Sequence, residues 1–223
     1  MKLLIGNKNY SSWSMRPWLV LTHFDIAFNE ELLLLNGPRW KERLLDASPT
    51  GRVPLLVDGD LKIWESLAII EYLADRFPDR AIWPRDPGER ALARAASAEM
   101  HSGFAGLRAA APVNLRASYP GRVPLDSVAD DLHRLEELWG DFLASSGGPY
   151  LFGTFCAADA MFAPVASRLR TYDLPTSDTV AEYVEAIHAL PAFQAWLSGA
   201  LAEPWIVEED ELPPTGNGTC PTS

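Results

Sequence analysis

Cysteine is scarce in this chain of 223 residues: there are 2, Cys156 and Cys220, far apart and without a CxxC spacing. That scarcity argues against a disulfide framework and against a paired-thiol redox centre. Histidine is scattered too: His23, His101, His133 and His188 show no ligand spacing. No metal site is therefore expected, and His101 reads as an ordinary helical histidine. Long apolar runs are missing. The opening Met1-Lys2-Leu3-Leu4-Ile5-Gly6 is too short for a signal peptide, and nothing approaches membrane-spanning length, which predicts a soluble cytoplasmic protein. Positive charge is in deficit, with 19 Lys and Arg against 30 Asp and Glu for a net charge of −11. Phosphate backbones and anionic lipid are repelled by such a surface, so neither nucleic acid nor membrane is an expected partner. What is present is an ordinary apolar fraction, 48%, which suits a globular core and small-molecule chemistry.

Residues 2–6 form a short apolar run that stops at Gly6-Asn7-Lys8-Asn9, the pattern of a buried strand entering a loop. From Ser14 the apolar spacing is helical, and Pro17 is tolerable in a first turn, where its missing donor has no partner to lose. Residues 27–35 read as a second strand, Pro38 to Asp46 as a short helix, and Ser48-Pro49-Thr50-Gly51 as a turn. Val53 to Val57 is a strand, Asp58-Gly59-Asp60 a hairpin signal and Leu61 to Trp64 its partner. A helix opening at Glu65 ends near Phe77-Pro78. The order βαβ then ββα predicts an α/β, thioredoxin-like domain over residues 1–78. The three prolines of residues 78–87 suit a connection, placed at 79–87. An all-helical domain is expected over 88–207, with helices at 88–111, 125–145, 157–169, 178–189 and 191–203. The third of these is apolar all round and should be buried. Residues 208–223 read as an acidic and polar flexible tail.

Three constellations carry chemistry. Tyr10-Ser11-Ser12-Trp13-Ser14-Met15-Arg16 places hydroxyls where strand 1 passes into helix 1. Such serines serve as N-caps, and a hydroxyl beside the positive end of a helix can also stabilise a thiolate. Ser11 is the expected donor, Ser12 an assistant or substitute, and Arg16 a source of positive charge one turn on. In Gly51-Arg52-Val53-Pro54, a proline just after the first strand residue marks an edge or a cis turn. With Pro54 cis, the Val53 backbone can pair with an extended peptide. In Trp64-Glu65-Ser66, an acid and a serine open a helix. Helix-start amides with the Ser66 hydroxyl can take a carboxylate while Glu65 takes an ammonium, which fits the amino-acid end of a γ-glutamyl group; the same pair also reads as a simple cap.

Together these segments resemble the cytosolic glutathione transferase superfamily over nearly the whole chain, in the family's order and approximate spacing. The resemblance implies a glutathione-binding domain followed by a helical domain for a second substrate. Ser11 matches the activating serine, Val53 the anchor before cis Pro54, and Glu65 and Ser66 the γ-glutamyl site. Arg52 falls where members place a residue touching glutathione, and Trp40 and Lys41 lie in the region meeting its glycyl carboxylate. Phe152 to Asp159 looks like the family's helix-capping segment, with Cys156 in place of the usual hydroxyl. The cap is then weaker or shared with Thr154, and Asp159 still bonds the helix start. The Ser-Ser-x-Ser-x-Arg loop looks most like zeta-type members, many of which isomerise maleylacetoacetate or maleylpyruvate. Trp13 replaces their cysteine. Met100, Phe104 and Arg108, spaced by four, are expected with Trp13 to line the second-substrate pocket. The expected function is detoxifying transfer of glutathione to a mostly apolar electrophile. The alternatives are cis–trans isomerisation of maleylacetoacetate or maleylpyruvate, and a non-catalytic binding module. Glutathione is the implied co-substrate, no metal is implied, and the family implies a homodimer.

Overall fold

The computed structural model describes residues 1–212 apart from Asn36 and Pro38; Cys220 and the rest of the C-terminal end lie outside the described residues. Four strands, β1 (Lys2–Ile5), β2 (Asn29–Leu32), β3 (Leu55–Asp58) and β4 (Leu61–Trp64), form one sheet in the order β2-β1-β3-β4. β1 runs parallel to β2 and antiparallel to β3, and β3 antiparallel to β4. Two-residue alternation decides which helix each side chain meets. Leu3, Ile5 and Leu56 enter the large core with α1 (Ser12–His23) and α3 (Ser66–Arg76), whereas Leu4 and Leu55 turn to the other face, where Leu44 of α2 (Trp40–Ala47) covers them. The first three expected strands are longer than the observed ones, and the fourth matches. Ala27 and Phe28 precede the first paired residue of β2, and Val53 precedes β3.

The helical half comprises α4 (Pro87–Ser102), α5 (Ala105–Ala110), α6 (Ala129–Ser146), α7 (Ala157–Tyr172), α8 (Asp178–Ala189) and α9 (Pro191–Ala202). The expected single helix over 88–111 breaks at Gly103. A Cβ there would sit 2.8 Å from the Glu99 carbonyl oxygen, and Phe104 adopts a left-handed φ of 55°. α7 is buried nearly all round and packs on α1, α4 and α8, so a single core runs from Leu3 to Trp196. Its start is a capping box. Asp159 accepts N–H from Cys156 at 2.9 Å and Leu151 at 3.1 Å, plus the Tyr183 hydroxyl at 3.1 Å, while Thr154 is exposed. Burial pushes the Asp159 carboxyl up to about 6 despite these donors.

Residues 208–212 do not form a free tail. Glu208–Asp210 make one 3-10 turn, and Glu211 accepts the hydroxyls of Tyr10 and Tyr119. A run of acids reads as solvated in sequence because tyrosine partners some 90 to 200 positions away are invisible there. Among the described residues, no helix is long and apolar enough to cross a membrane.

Candidate functional site

β1 delivers the chain through Gly6 into the serine loop. A Cβ at Gly6 would lie 3.2 Å from Ser11 Cβ and 3.0 Å from Leu35 Cδ1, so a larger residue would have to push the loop or the Leu35 side chain aside by a few tenths of an ångström. Ser11 is the N-cap of α1: its Oγ accepts from Ser14 N–H at 3.4 Å and donates to Ser14 Oγ at 2.7 Å, and it is buried. Ser14 Oγ in turn accepts the Gly6 N–H at 3.1 Å. Ser12, the first residue of α1, is half-buried and faces a cavity of about 470 Å³ shared with Tyr10, Ser11, Trp13, Trp40 and Arg52. Among the described residues its hydroxyl has no hydrogen-bond partner, so of the two serines it has the freer proton.

A second cavity, about 270 Å³, adjoins the first through Trp13, Arg52, Val53 and Arg108, and adds Thr50, Pro54, Glu65 and His101. The Val53–Pro54 bond is cis. The Val53 N–H and C=O have no hydrogen bond to any other described residue. Glu65 caps α3 at φ 67°, outside the usual backbone regions, and uses no side-chain bond to do so. Ser66 is fully buried with an unpartnered Oγ at the mouth of that helix. Trp40 begins α2 and is half-buried. Lys41 beside it is exposed and stacks 5.4 Å from the Trp40 ring, and it lines neither cavity.

Trp13 is the hub of a cationic cluster. The Arg16 guanidinium lies 4.3 Å and that of Arg108 4.8 Å from its ring centroid, and the His101 ring meets it edge-on at 5.1 Å. Arg16 is 1% exposed, and its Nε and Nη1 have no partner. Burial, then repulsion from Arg168 and Arg108, pushes its pKa down to about 9. Arg168, also buried, donates Nε to the Ala111 carbonyl at 2.7 Å and lines the larger cavity with Asp210. Burial, followed by repulsion from Arg108, lowers Arg168 to about 10. The facing acids are few: Glu65, whose Oε2 is 3.6 Å from His101 Nε2, and Asp210, whose own carboxyl is raised by burial.

Two sequence expectations fail here. Met100 and Phe104 do not line the cavity. The break at Gly103 ends the four-residue register, and both side chains are buried in the core, where Phe104 meets Phe162 edge-on at 6.2 Å between ring centroids. Arg108, on the separate helix α5, does reach both cavities. His101, read as ordinary, lines the glutamate-side cavity with a buried, unpartnered Nδ1. Arg168 went unnoticed, although an arginine within the apolar stretch of α7 is a sequence signal: a buried charge demands a reason. Tyr10 and Asp210 carried no comparable signal. Among the described residues, no group of three or more His, Cys, Asp or Glu side chains has a metal-holding arrangement.

Residues 10–76, which contain the serine loop, Val53–Pro54 and Glu65–Ser66, match the family model described as glutathione S-transferase, N-terminal domain. The chain is 33% identical over 192 residues, 82% of its length and 86% of the relative's, to a probable maleylacetoacetate isomerase of Caenorhabditis elegans. It is 30% identical over 170 residues, 72% of its length and 74% of the relative's, to glutathione S-transferase Z2 of Arabidopsis thaliana. Among solved structures, a glutathione transferase homolog from Burkholderia gl BGR1 with bound glutathione superposes with a TM-score of 0.69 at 25% identity, over 91% of this chain and 100% of that one. With sheet order, cis Val53–Pro54 and these relatives in agreement, the chain belongs to the glutathione transferase superfamily and is zeta-like within it.

Proposed function

We propose that the chain is a glutathione-dependent enzyme which ionises the glutathione thiol beside Ser12 and adds the thiolate to an electrophilic carbon of a small conjugated acid. The observation that carries this reading is the meeting, around two adjoining cavities, of the Ser12 hydroxyl, the unbonded Val53 backbone and Glu65, with the unpartnered Ser66 hydroxyl buried next to Glu65 at the start of α3. The tripeptide backbone pairs with Val53 as an added strand. Its α-carboxylate takes the Ser66 hydroxyl and the first amides of α3, its α-ammonium takes Glu65, and Arg52 and Trp40 flank the remainder. Ser12 donates to the thiolate. One hydrogen bond to a charged acceptor contributes about 1.5–3 kcal/mol, or roughly one to two pKa units. Ser11 holds the loop by capping α1. The apolar second substrate expected from sequence fits less well, because Arg108 and Arg168 line the larger cavity, with Arg16 stacked behind Trp13, and favour a carboxylate-bearing partner.

The fate of the adduct separates two reactions. In transfer, the new C–S bond stays and the carbanionic end takes a proton from water or expels a leaving group with its bonding pair. In isomerisation, the adduct rotates about the bond made single, then expels the thiolate, so that glutathione is regenerated and the double bond is trans. The guanidinium cluster and the likeness to the Caenorhabditis elegans relative, a probable maleylacetoacetate isomerase, favour the second for maleyl-type acids. We further take the enzyme to be a cytoplasmic homodimer. Exposed Leu61, Trp64 and Leu92 on β4 and α4 offer apolar surface for pairing.

Calorimetry with glutathione tests the binding reading, and ultraviolet titration of the bound thiolate tests the donor. Ser12→Ala should raise the bound thiol pKa by at least one unit, and Ser11→Ala should mainly destabilise the fold. The absence of binding heat with the wild type defeats the reading. Maleyl acids incubated with substoichiometric glutathione then tell isomerisation from transfer.

A further inference from the structure

The loop bearing the serines is gripped by the far end of the chain. Glu203, the residue after α9 and itself buried, accepts the Lys8 backbone N–H at 2.7 Å and the Asn9 N–H at 3.2 Å. Among the described residues its carboxylate makes no ion pair, so these two amides hold it. Trp196 of α9 donates Nε1 to the Lys8 carbonyl at 3.0 Å, and Gly199 lets Lys8 cross α9, since a Cβ there would lie 2.7 Å from Lys8 Cδ. Arg116, after α5, donates to the Tyr10 hydroxyl at 2.9 Å and to the carbonyls of Glu203 and Trp205. Glu211 closes the arrangement by accepting the hydroxyls of Tyr10 and Tyr119. Residues 203–211 therefore lie along the serine loop as a strap, and Asp210 forms part of the cavity wall.

We propose that Glu203 is a positioning residue for the thiol site: by fixing the Lys8 and Asn9 amides it sets the loop from which Ser12 reaches the sulfur. The inference rests on the glutathione reading above. The transmission is short. Ser11 N–H bonds the Asn7 carbonyl at 2.8 Å and Ser12 N–H the Tyr10 carbonyl at 2.9 Å, so a shift at residues 8 and 9 moves both hydroxyls. Hydrogen bonds from amides to a buried carboxylate are charge-assisted and directional, which suits them to hold a loop rather than merely cover it. The peptide-pairing edge at Val53 and the helix mouth at Glu65 lie outside the gripped loop. A loosened strap then misplaces the hydroxyl while leaving the grip on the rest of the tripeptide.

The test compares wild type, Glu203→Ala and Glu203→Gln, measuring glutathione Kd by calorimetry and the bound thiol pKa by thiolate absorbance. Glu203→Ala should raise the bound thiol pKa by about one unit, a tenfold loss of thiolate at a pH below both values, with Kd changed less than threefold. Glu203→Gln, which keeps one accepting oxygen, should fall between. An unchanged thiol pKa in Glu203→Ala, or in Glu203→Gln if the first fails to fold, overturns the proposal, as does parallel loss of affinity and thiolate, which marks a structural role only. Wild type that binds no glutathione instead overturns the functional reading before any variant is compared.

Discussion

Replacing Arg16 by methionine should make the protein more stable and less active. The side chain is 1% exposed, its Nε and Nη1 are unpartnered, and its neighbours Arg108 and Arg168 repel it. A guanidinium whose pKa falls from its ordinary value to about 9 carries a penalty of roughly 5 kcal/mol in its charged form. The sign follows from the direction of the change. Folded and unfolded forms are both charged below about 9, so the penalty is fully present at neutral pH and is relieved only as pH rises beyond about 9 towards the ordinary arginine value. Stacking on Trp13 offsets about 2 kcal/mol, and methionine keeps a flexible chain of similar length while losing some packing. A net gain of about 2 kcal/mol remains, or roughly 4–8 °C in Tm for a chain of this size. Thermal unfolding at pH 7.5 measures it directly, and turnover with glutathione should fall at least tenfold because the site loses a cation. A less stable Arg16→Met protein would refute the account of Arg16 as an uncompensated buried charge kept for function.

Asp159→Asn isolates a second buried charge: the Asp159 carboxyl sits at about 6, above its unfolded value, so the ionised form is disfavoured in the folded state. Wild type should lose about 1 kcal/mol relative to this variant between pH 5.3 and 7.5, about half a molar in urea midpoint; an opposite slope means that the three donors outweigh burial. For His101, burial and then Arg16 lower the pKa, Glu65 raises it and Arg108 lowers it further, so the ring is neutral at pH 7 and gains its proton on acidification. Once protonated it competes with the ligand ammonium for Glu65, so glutathione affinity should weaken in wild type as the pH falls below the ordinary histidine range and stay flat in His101→Gln; parallel pH profiles in calorimetry would count against this. Met100→Ala, at a fully buried core position, should lower stability by about 2–4 kcal/mol without moving the KM of the second substrate, whereas Arg108→Gln should raise that KM.

Local signals served well where the chemistry itself is local. The apolar run of residues 2–6 marks a buried strand, the hairpin at Asp58-Gly59-Asp60 is visible, and Val53-Pro54 announces its own turn. The all-apolar run after Cys156 correctly implied a buried helix. Failures came where one backbone position overrode a pattern. The spacing of Met100, Phe104 and Arg108 is helical, but Gly103 breaks the helix, so two of the three are core and the third reaches the site. Propensity over such a window favours continuity, and a single residue in a left-handed conformation is a tertiary outcome. The role of the acidic end was hidden for the same reason. Nothing near Glu203 or Glu211 in sequence indicates that their partners are Lys8, Asn9 and Tyr10.

Net charge illustrates the same limit quantitatively. A charge of −11 argues soundly against long polyanions, whose binding sums over many surface charges. It says little about a small anion, because at physiological salt the field of exposed charges decays over about 8 Å. Inside the cleft the relevant sum is local: Arg108 and Arg168 line the larger cavity with Asp210, Arg16 is buried behind the Trp13 ring, and Glu65 is the acid of the smaller cavity. Burial strengthens what remains, since screening by water and salt is weakest where Arg16 is most enclosed. An acidic protein can thus present a cationic pocket. The charge of the second substrate is therefore better read from three guanidinium groups than from the composition of the whole chain.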